Sequence, residues 1–417
     1  MADFPIAPVA NAGAACGPWE PDGELVNVTP VPSNRIKVNP EAPTFADLTT
    51  LGVGGTIEKY LEVSTEADFL QAIKEADESQ QPLYVIGGGS NTVAPAQHFP
   101  GTVIRDLRQE MDVEHDSACG GVSVRATAGL PWDDFVAHAI SNGWMGVEAL
   151  SGIPGTVGAA PVQNIGAYGQ EVAETLASVR VYDRLEQRAH QLALSDLELE
   201  YRNSLLKRSL SDPKVGGGRV WGPTGRWIVL EVGFQMRHAT LSAPIRYEQL
   251  AQAMDAKVGD RVPAHELRQA VLEIRRRKGM VLDDQDRDTW SAGSFFTNPV
   301  IPTEKLAELP DDLPHYDVYD RALATGIKGR APKVKGVQKV SAAWLIQHAG
   351  FEPGFALEGS QAALNSRHTL AITNQGGANA TQVWDLAEHV IAGVEDKFGI
   401  KLEPEPVCLN NFLGEQK

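Results

Sequence analysis

The sequence predicts an α+β protein built from two or three domains. The chain has 417 residues, a length that corresponds to two or three domains of ordinary size. Hydrophobic residues make up 42% of the chain and charged residues 22%, which is typical of folded globular proteins. Segments with helical periodicity alternate with short runs of β-branched residues and with glycine-rich stretches. Together these features indicate helices and strands that share sizeable apolar cores.

The net charge and the cysteines argue against several classes of protein. A formal net charge of −17 argues against broad nucleic-acid binding, which needs a basic surface. The chain lacks a run of about 18 apolar residues, so we expect no membrane-spanning helix. Cys16, Cys119 and Cys408 lie far apart and show no metal-ligand spacing. We therefore expect a cytoplasmic protein with reduced cysteines and without a bound metal.

The first elements are expected after a flexible leader. Residues 1–44 are rich in Pro, Ala and Asn without sustained periodicity, so they predict a loosely attached segment. Thr65 precedes a helical pattern that places Phe69 and Ile73 on one face. Residues 83–86 are Leu-Tyr-Val-Ile and predict a short buried strand.

The middle and the end of the chain predict further strands and helices. The clearest helix is residues 263–278, because Pro263 suits a first turn and Gly279 follows a basic last turn. The other predicted strands are 102–104, 122–127, 179–182 and 227–230, and the other predicted helices are 133–142 and 381–397.

Two glycine-rich segments have the composition of a nucleotide-binding cradle. Residues 87–91 read Gly-Gly-Gly-Ser-Asn directly after a predicted strand, and residues 151–169 are mostly small. Glycine lets the backbone approach a ligand, and its N–H groups can turn towards phosphate oxygens. A tight turn and a structural loop are the alternative interpretations. A Rossmann motif is excluded, because Pro95 and Pro100 prevent a helix directly after the first segment.

These two segments closely resemble the motifs of a known family. Residues 153–169 read Ile-Pro-Gly-x-x-Gly-x-x-Pro-x-Gln-Asn-x-Gly-Ala-Tyr-Gly. Together with the first segment, this string resembles the UDP-N-acetylenolpyruvoylglucosamine reductases (MurB), in particular the subgroup with a longer central insert. The resemblance implies a two-part FAD-binding domain of the vanillyl-alcohol-oxidase type and a C-terminal α/β substrate-binding domain. We expect the two FAD-binding parts at 45–99 and 100–282, and the substrate-binding domain at 283–417.

The resemblance also implies the cofactor and the residues that hold it. The cofactor is expected to be noncovalent FAD, with NADPH as a co-substrate. Residues 310–335, like the leader, extend beyond the family's common core. The residues expected to contact FAD are Gly87, Gly88, Gly89, Ser90, Asn91, Pro154, Gly155, Thr156, Gly158 and Gly166.

Three residues carry the catalytic chemistry that the resemblance implies. Arg202, in Tyr-Arg-x-Ser, is expected against the substrate's enolpyruvyl carboxylate, a group that guanidinium binds bidentately. Ser294, in Ala-Gly-Ser-Phe-Phe-x-Asn-Pro, is expected to deliver a proton, and Glu405 to assist at the same carbon. From the residues alone, a surface arginine, a serine that caps a loop and a solvated glutamate remain the alternatives.

Three more residues are expected to bind the substrate by the same resemblance. Lys278 is expected to meet the diphosphate, Tyr247 to cover the substrate and Asn298 to contact the UDP moiety. The alternatives are a lysine in the last turn of a helix and a tyrosine in the core or on the surface. His368 occupies a position that lies near the uridine in the family.

The implied reaction is the reduction of UDP-N-acetylglucosamine enolpyruvate to UDP-N-acetylmuramate. This oxidoreductase step belongs to peptidoglycan precursor synthesis and therefore to cell-wall biogenesis. We expect a cytoplasmic monomer that binds neither nucleic acid nor membranes. A FAD-dependent sugar or alcohol oxidase on the same fold is one alternative, and a non-catalytic nucleotide-binding protein is the other. The first glycine segment carries no His or Cys for a covalent flavin link, which favours noncovalent FAD.

Overall fold

The structure is a computed structural model that describes residues 17–36, 42–319 and 332–412. Parts of the predicted leader and of the predicted 310–335 insert, and Cys16, lie outside the described residues. All statements below refer to the described part of the chain.

Helices and strands alternate throughout the described chain. The α-helices are α1 (Phe45–Leu48), α2 (Glu66–Glu78), α3 (Trp132–Ser141), α4 (Ala160–Gln163), α5 (Leu205–Arg208), α6 (Glu248–Ala253), α7 (Ala264–Arg277), α8 (Ala342–His348) and α9 (Ala380–Phe398). The strands are β1 (Ile57–Val63), β2 (Leu83–Ile86), β3 (Thr92–Val93), β4 (Phe99–Asp106), β5 (Met111–Ser117), β6 (Gly121–Thr127), β7 (Trp144–Met145), β8 (Gly166–Ala167), β9 (Gln170–Glu171), β10 (Leu176–Asp183), β11 (Arg188–Ala193), β12 (Trp227–His238), β13 (Val300–Pro302), β14 (His315–Tyr316), β15 (Val337–Val340), β16 (Ala362–Leu364), β17 (Ile372–Asn374) and β18 (Val407–Cys408). Each predicted helix and strand is present, and the α+β class is confirmed.

The first sheet is parallel and has the strand order β1-β4-β2. Helix α2 packs on it and begins after Thr65, whose hydroxyl accepts a hydrogen bond from the Asp68 N–H at 3.2 Å. The predicted apolar face of α2 is confirmed, since Phe69 and Ile73 are fully buried. Burial of each of these side chains contributes about 1.5–3 kcal/mol to stability.

Strand β4 crosses the domain boundary that the sequence predicts between residues 99 and 100. Proline is unusual in a central strand because it cannot donate a hydrogen bond to the ladder. A register shift accommodates Pro100: Ile57 pairs with Phe99, whereas Lys59 pairs with Thr102. The first sheet therefore continues past the predicted boundary, to the end of β4.

The second sheet is antiparallel, with the order β11-β10-β12-β6-β5, and it contains the largest core. Helix α3 packs against it through apolar side chains. Phe135 of α3 stacks on Phe234 of β12 with ring centroids 4.3 Å apart, and Trp132 lies 5.6 Å from Phe135. This core supports the second glycine-rich segment, which follows α3 in the chain.

The last part of the chain combines antiparallel strands with α8 and α9. Helix α9 begins at Asn379, whose side chain accepts a hydrogen bond from the Gln382 N–H, and ends at Gly399 with φ +61°. The chain then returns to the first half of the molecule, where β18 pairs with β3. This return brings Glu405 towards the first glycine segment, because the Val407 N–H donates to the Asn91 carbonyl at 2.9 Å.

Residues 17–36 are packed onto the rest of the molecule, which corrects the expectation of a loose leader for this segment. Trp19 stacks on the ring of His238 with centroids 4.6 Å apart. The Val31 N–H donates to the buried carboxylate of Asp133 at 2.6 Å. The sequence does not reveal this packing, because every partner lies far along the chain and leaves no local periodicity.

The cysteines and the length of the helices bear on two expectations from composition. The expectation of reduced cysteines is wrong at Cys119, which is disulfide-bonded, whereas Cys408 is buried and free. Disulfides depend on proximity in the fold, so wide sequence spacing is weak evidence against one. Across the described residues, no helix combines the length and the apolar character that crossing a membrane requires.

Candidate active site

A cavity of 2570 Å³ gathers the predicted site residues. It lies against both glycine-rich segments and against the C-terminal part of the chain. The predicted residues that line it are Gly87, Gly88, Gly89, Ser90, Asn91, Pro154, Gly155, Thr156, Gly158, Gly166, Arg202, Tyr247, Lys278, Ser294, Asn298 and Glu405. The fold therefore brings together all the residues that the sequence analysis singled out, although their roles remain predictions.

The first glycine segment has the geometry of an anion site. In the described chain, the N–H groups of Gly88, Gly89 and Ser90 donate to no protein group. Gly89 has φ +63°, and a Cβ there would lie 2.0 Å from the Leu48 carbonyl oxygen. Successive unpaired N–H groups around a left-handed residue form a concavity that suits phosphate oxygens. The segment fits the pyrophosphate of a dinucleotide.

The second glycine segment lies against the first. A Cβ on Gly88 would lie 2.7 Å from the Gly155 Cα, so only glycine allows this approach. The Ser90 hydroxyl donates to the Pro154 carbonyl at 3.1 Å and joins the segments directly. The two predicted segments therefore form one wall of the cavity.

Two glycines of the second segment use their N–H groups within the protein. Gly155 donates to the Ser33 carbonyl at 2.7 Å, and Gly158 donates to the Ala128 carbonyl at 2.9 Å. Their amides are therefore committed to protein carbonyls. Gly155 and Gly158 therefore let a ligand approach the backbone closely, while the amides free to bind it belong to the first segment.

Arg202 and Glu405 form an ion pair in the cavity wall. The Arg202 Nε lies 3.1 Å from Glu405 Oε1, and the same oxygen accepts a hydrogen bond from Gln163 Nε2 at 2.9 Å. Arg202 Nη2 donates to the Gly166 carbonyl at 2.7 Å. The backbone of Arg202 has φ +55°, a conformation that non-glycine residues adopt at an energetic cost. The surrounding contacts hold this charge at a fixed place.

Ser294 lies in a loop that adjoins the segment of Glu405. It is half-buried and precedes Phe295 and Phe296, which are both fully buried. The Glu405 N–H donates to the Phe295 carbonyl at 2.9 Å, and the Phe295 N–H donates to the Leu370 carbonyl at 2.6 Å. The buried rings of Phe295 and Phe296, together with these backbone hydrogen bonds, hold the segments of Ser294 and Glu405 side by side at the cavity.

Lys207 is a cavity residue that the sequence analysis missed. It lies in α5, and its ammonium donates to the Arg202 carbonyl at 3.3 Å. Burial lowers the pKa of Lys207, while the Glu405 carboxylate opposes that shift. The available signal was Ser204, which caps α5 by accepting the Lys207 N–H. That cap places Lys207 one helical turn after Ser204, from where its ammonium reaches back to the Arg202 carbonyl.

Lys278 lies beside two tyrosines of the cavity wall. Its Nζ lies 5.8 Å from the centroid of the Tyr168 ring and donates to Gln249 Oε1 at 2.9 Å. Tyr168 and Tyr247 meet edge to face, with centroids 5.9 Å apart. Burial lowers the pKa of Lys278, and the neighbouring guanidinium of Arg275 lowers it further. This part of the wall offers a cation and aromatic surface to an anionic ligand.

Asn298 has a structural role besides its place at the cavity. Its side-chain oxygen accepts the Ala342 N–H at 2.9 Å, at the start of α8. It also hydrogen-bonds with Tyr201, whose ring lies 4.1 Å from the Lys339 ammonium. Asn298 therefore ties α8 to the cavity wall that carries Arg202.

His368 is half-buried beside Lys278, and the loss of hydration there lowers its pKa to about 4. The unfolded chain would bind this proton near the ordinary histidine value, so acid favours unfolding between about pH 6.5 and pH 4. We expect this histidine to remove about 2 kcal/mol of unfolding free energy between pH 7 and pH 5. Urea denaturation of His368→Gln at both pH values should show a correspondingly smaller loss.

The matched control for His368 is His98→Gln, since the His98 side chain is 47% exposed. This variant should keep the acid-dependent loss seen in the parent protein. Equal pH dependence in the parent protein and in His368→Gln would contradict the assignment.

Comparison with known proteins matches the two halves of this arrangement. Residues 57–186 match the model of the FAD binding domain, and residues 284–409 match that of the UDP-N-acetylenolpyruvoylglucosamine reductase C-terminal domain. These ranges contain the first glycine segment, Ser294 and Glu405. The FAD-binding fold expected from the sequence is thereby confirmed.

Similar proteins extend these matches over nearly the whole chain. The UDP-N-acetylenolpyruvoylglucosamine reductase of Salinispora arenicola is 41% identical over 386 residues, which cover 92% of this chain and 99% of the relative. That of Leifsonia xyli subsp. xyli is 43% identical and covers 89% of this chain and 100% of the relative. The crystal structure of MurB from Thermus caldophilus superposes with a TM-score of 0.56 at 24% identity, covering 88% of this chain and 97% of that one. Because such identity spans both the FAD-binding half and the half that carries Ser294 and Glu405, the chain belongs to the UDP-N-acetylenolpyruvoylglucosamine reductase family.

Proposed function

We propose that this chain reduces UDP-N-acetylglucosamine enolpyruvate to UDP-N-acetylmuramate, with noncovalent FAD as cofactor and NADPH as co-substrate. The observation that carries the proposal is the Arg202–Glu405 ion pair, which adjoins the Ser294 loop at the same cavity as the glycine segments. A binding protein would need the glycine segments but would have no use for this additional group of residues. The family relationship supports the same reaction.

The glycine segments fit FAD without a covalent link. The unpaired N–H groups of Gly88 to Ser90 suit the pyrophosphate, and the packed glycines leave room for close approach. His98, the histidine nearest to this segment in sequence, hydrogen-bonds with Glu58 at 2.9 Å and Thr56 at 3.0 Å, away from the cavity lining. When bound, FAD supplies the hydride that reduces the enolpyruvyl double bond.

Gly89→Ala is expected to weaken FAD binding by at least about tenfold. A left-handed conformation costs a non-glycine residue about 1–2 kcal/mol, and here the new methyl group would also displace the Leu48 carbonyl. Titration of the apoprotein with FAD, followed by flavin fluorescence, measures the change. Gly336→Ala is the matched control, because Gly336 has φ +80° and open space around an added Cβ. Equal weakening in both variants would contradict a role for the first segment.

In the proposed mechanism, Arg202 stabilises the charge that develops beside the substrate carboxylate. Hydride addition to the terminal carbon makes the neighbouring carbon carbanion-like, with charge delocalised into the carboxylate. A guanidinium fixed by Gly166 and Glu405 needs no reorganisation to meet that charge. Glu405 in turn holds the orientation of Arg202 in the wall of the cavity.

Ser294 then delivers a proton to the carbanion-like carbon. Serine is a weak acid, so the transfer depends on placement rather than on acidity. The backbone bonds around Phe295 provide that placement. Addition of the hydride and this proton converts the enolpyruvyl ether to the lactyl ether of the product.

The proposed reaction is tested by the visible absorbance of the purified protein without air. Bleaching of the flavin band by NADPH, followed by its return when UDP-N-acetylglucosamine enolpyruvate is added, is the expected result. Bleaching without return would overturn the proposed substrate and would favour an oxidase of free sugars or alcohols. The absence of bleaching in the FAD-loaded protein would overturn the role of NADPH.

We further propose that the chain acts as a monomer in the cytoplasm. The residues that line the cavity include all the predicted catalytic and binding residues, so one chain supplies a full set. Light scattering after gel filtration should give a mass near 44.9 kDa, and twice that mass would overturn the monomer.

A further inference from the structure

The guanidinium of Arg35 is buried where the leader meets two other parts of the chain. The Arg35 side chain is 4% exposed, and its five N–H donors all have partners. Nε donates to Asp284 at 2.9 Å, Nη1 to the Thr50 carbonyl at 3.0 Å, and Nη2 to the Asp283 carbonyl at 3.1 Å. Nη1 also donates to the Thr289 carbonyl at 3.3 Å, and Nη2 to the Thr289 hydroxyl at 2.6 Å.

The residues that Arg35 holds are directly bonded to the two halves of the active site. The Thr50 N–H donates to the carbonyl of Gly89 at 3.1 Å, in the first glycine segment. The Thr50 hydroxyl donates to the carbonyl of Ser291 at 2.6 Å, in the loop that leads to Ser294. Through Thr50, Arg35 is therefore linked to both the FAD-binding segment and the proton-donor loop, and its other partner, Thr289, lies two residues before Ser291.

An aromatic ring completes the junction. The Arg35 guanidinium lies 4.2 Å from the centroid of the Trp290 ring, and that of Arg287 lies 4.3 Å from it. Trp290 packs on Gly52, where a Cβ would lie 2.7 Å from the indole. The loops around Thr50 and Thr289 thus have little freedom to separate while Arg35 is in place.

We propose that Arg35 is a positioning residue that fixes the distance between the first glycine segment and the Ser294 loop. This inference rests on the proposed function. Arg35 lies outside the cavity lining, so it acts through Thr50 and Thr289 and touches neither cofactor nor substrate. A buried guanidinium with five bonds cannot be replaced without leaving carbonyl groups unpaired, which lets the two loops move apart.

The test compares Arg35→Met with Arg287→Met in the full-length protein. Both arginines lie near the same tryptophan, but Arg287 is exposed, and among the described residues its side chain donates no hydrogen bond to the loops of Thr50, Gly89 or Ser294. We expect Arg35→Met to raise the FAD dissociation constant and, at saturating FAD, to slow reoxidation by the enolpyruvyl substrate about 10- to 100-fold. Flavin reduction by NADPH should change much less, because it does not use Ser294. Arg287→Met should match the parent protein in all three measurements.

Two further variants keep the proposal testable where Arg35→Met does not fold. Thr50→Val removes the hydroxyl that bonds Ser291 and keeps the side-chain volume, so it should slow reoxidation selectively. Arg35→Lys keeps the charge but loses the planar guanidinium that donates several hydrogen bonds at once, so it should give an intermediate rate. A lower melting temperature with parent-like rates at saturating FAD in these variants would show a structural role only and would overturn the proposal.

Failure of the proposed function would look different from failure of this inference. In that case the parent protein itself would not be reoxidised by the enolpyruvyl substrate. The effect of Arg35→Met on FAD affinity would still report whether Arg35 positions the glycine segment.

Discussion

Ser294→Ala is expected to slow reoxidation of the reduced enzyme by the enolpyruvyl substrate by about 10²–10⁴-fold. The alanine side chain cannot donate a proton, whereas the neighbouring Phe295 and Phe296 keep the loop in place. FAD binding and flavin reduction by NADPH do not involve this proton and should be unchanged. Stopped-flow absorbance without air measures both half-reactions in the same sample.

Ser291→Ala is the matched control for this experiment. Ser291 lies in the same loop, but it is buried and its hydroxyl accepts the Gly293 N–H at 3.2 Å. Its loss should leave reoxidation within a few-fold of the parent rate. Parent-like reoxidation in Ser294→Ala would remove Ser294 from the mechanism, and the acid would then have to be sought among the other groups of the cavity.

Arg202→Met is expected to slow the same step by about 10²–10³-fold, because it removes the charge that stabilises the developing carbanion. The substitution also removes the ion-pair partner of Glu405. Both changes should slow the reaction. Arg202→Lys restores a charge without the fork and should recover part of the rate. Rates at saturating substrate, compared with KM, separate loss of transition-state stabilisation from weaker binding.

Arg208→Met provides the control for Arg202. Arg208 lies in α5, close in sequence, and pairs with Glu198. This variant should bind FAD and turn over as the parent does. A larger loss in Arg208→Met than in Arg202→Met would show that charge in this region, rather than the guanidinium at the cavity, limits the reaction.

The four longest helices and five of the strands could be predicted because their signals are local. The cap at Thr65, the proline that directly precedes α7 and the alternating apolar residues of β6 each specify an element within a few residues. The glycine segments could be recognised for the same reason, since their composition permits close backbone approach. The resemblance supplied the assignment of Arg202, Ser294 and Glu405, which composition and spacing do not provide.

The predictions that differ from the structure depend on distant partners. The sequence predicts a strand only at 102–104, but a register shift against β1 lets β4 run from Phe99 through Pro100 to Asp106. The leader shows no periodicity, yet Val31 and Arg35 are bonded to residues far along the chain. Lys207 lies in a short helix whose sequence resembles any basic helix end. Its burial at the cavity is visible only in the folded structure. Such contacts form only in the folded protein and leave no pattern in the local sequence.

The junction at Arg35 also orders events during translation. Its partners Asp284 and Thr289 follow it by 249 and 254 residues, so the ribosome adds most of the chain before the junction can close. At about 5–20 residues per second, this interval is roughly 10–50 s. The first sheet and both glycine segments are synthesised well before that interval ends. The contacts that join the first glycine segment to the Ser294 loop are therefore among the last to form as the chain is made.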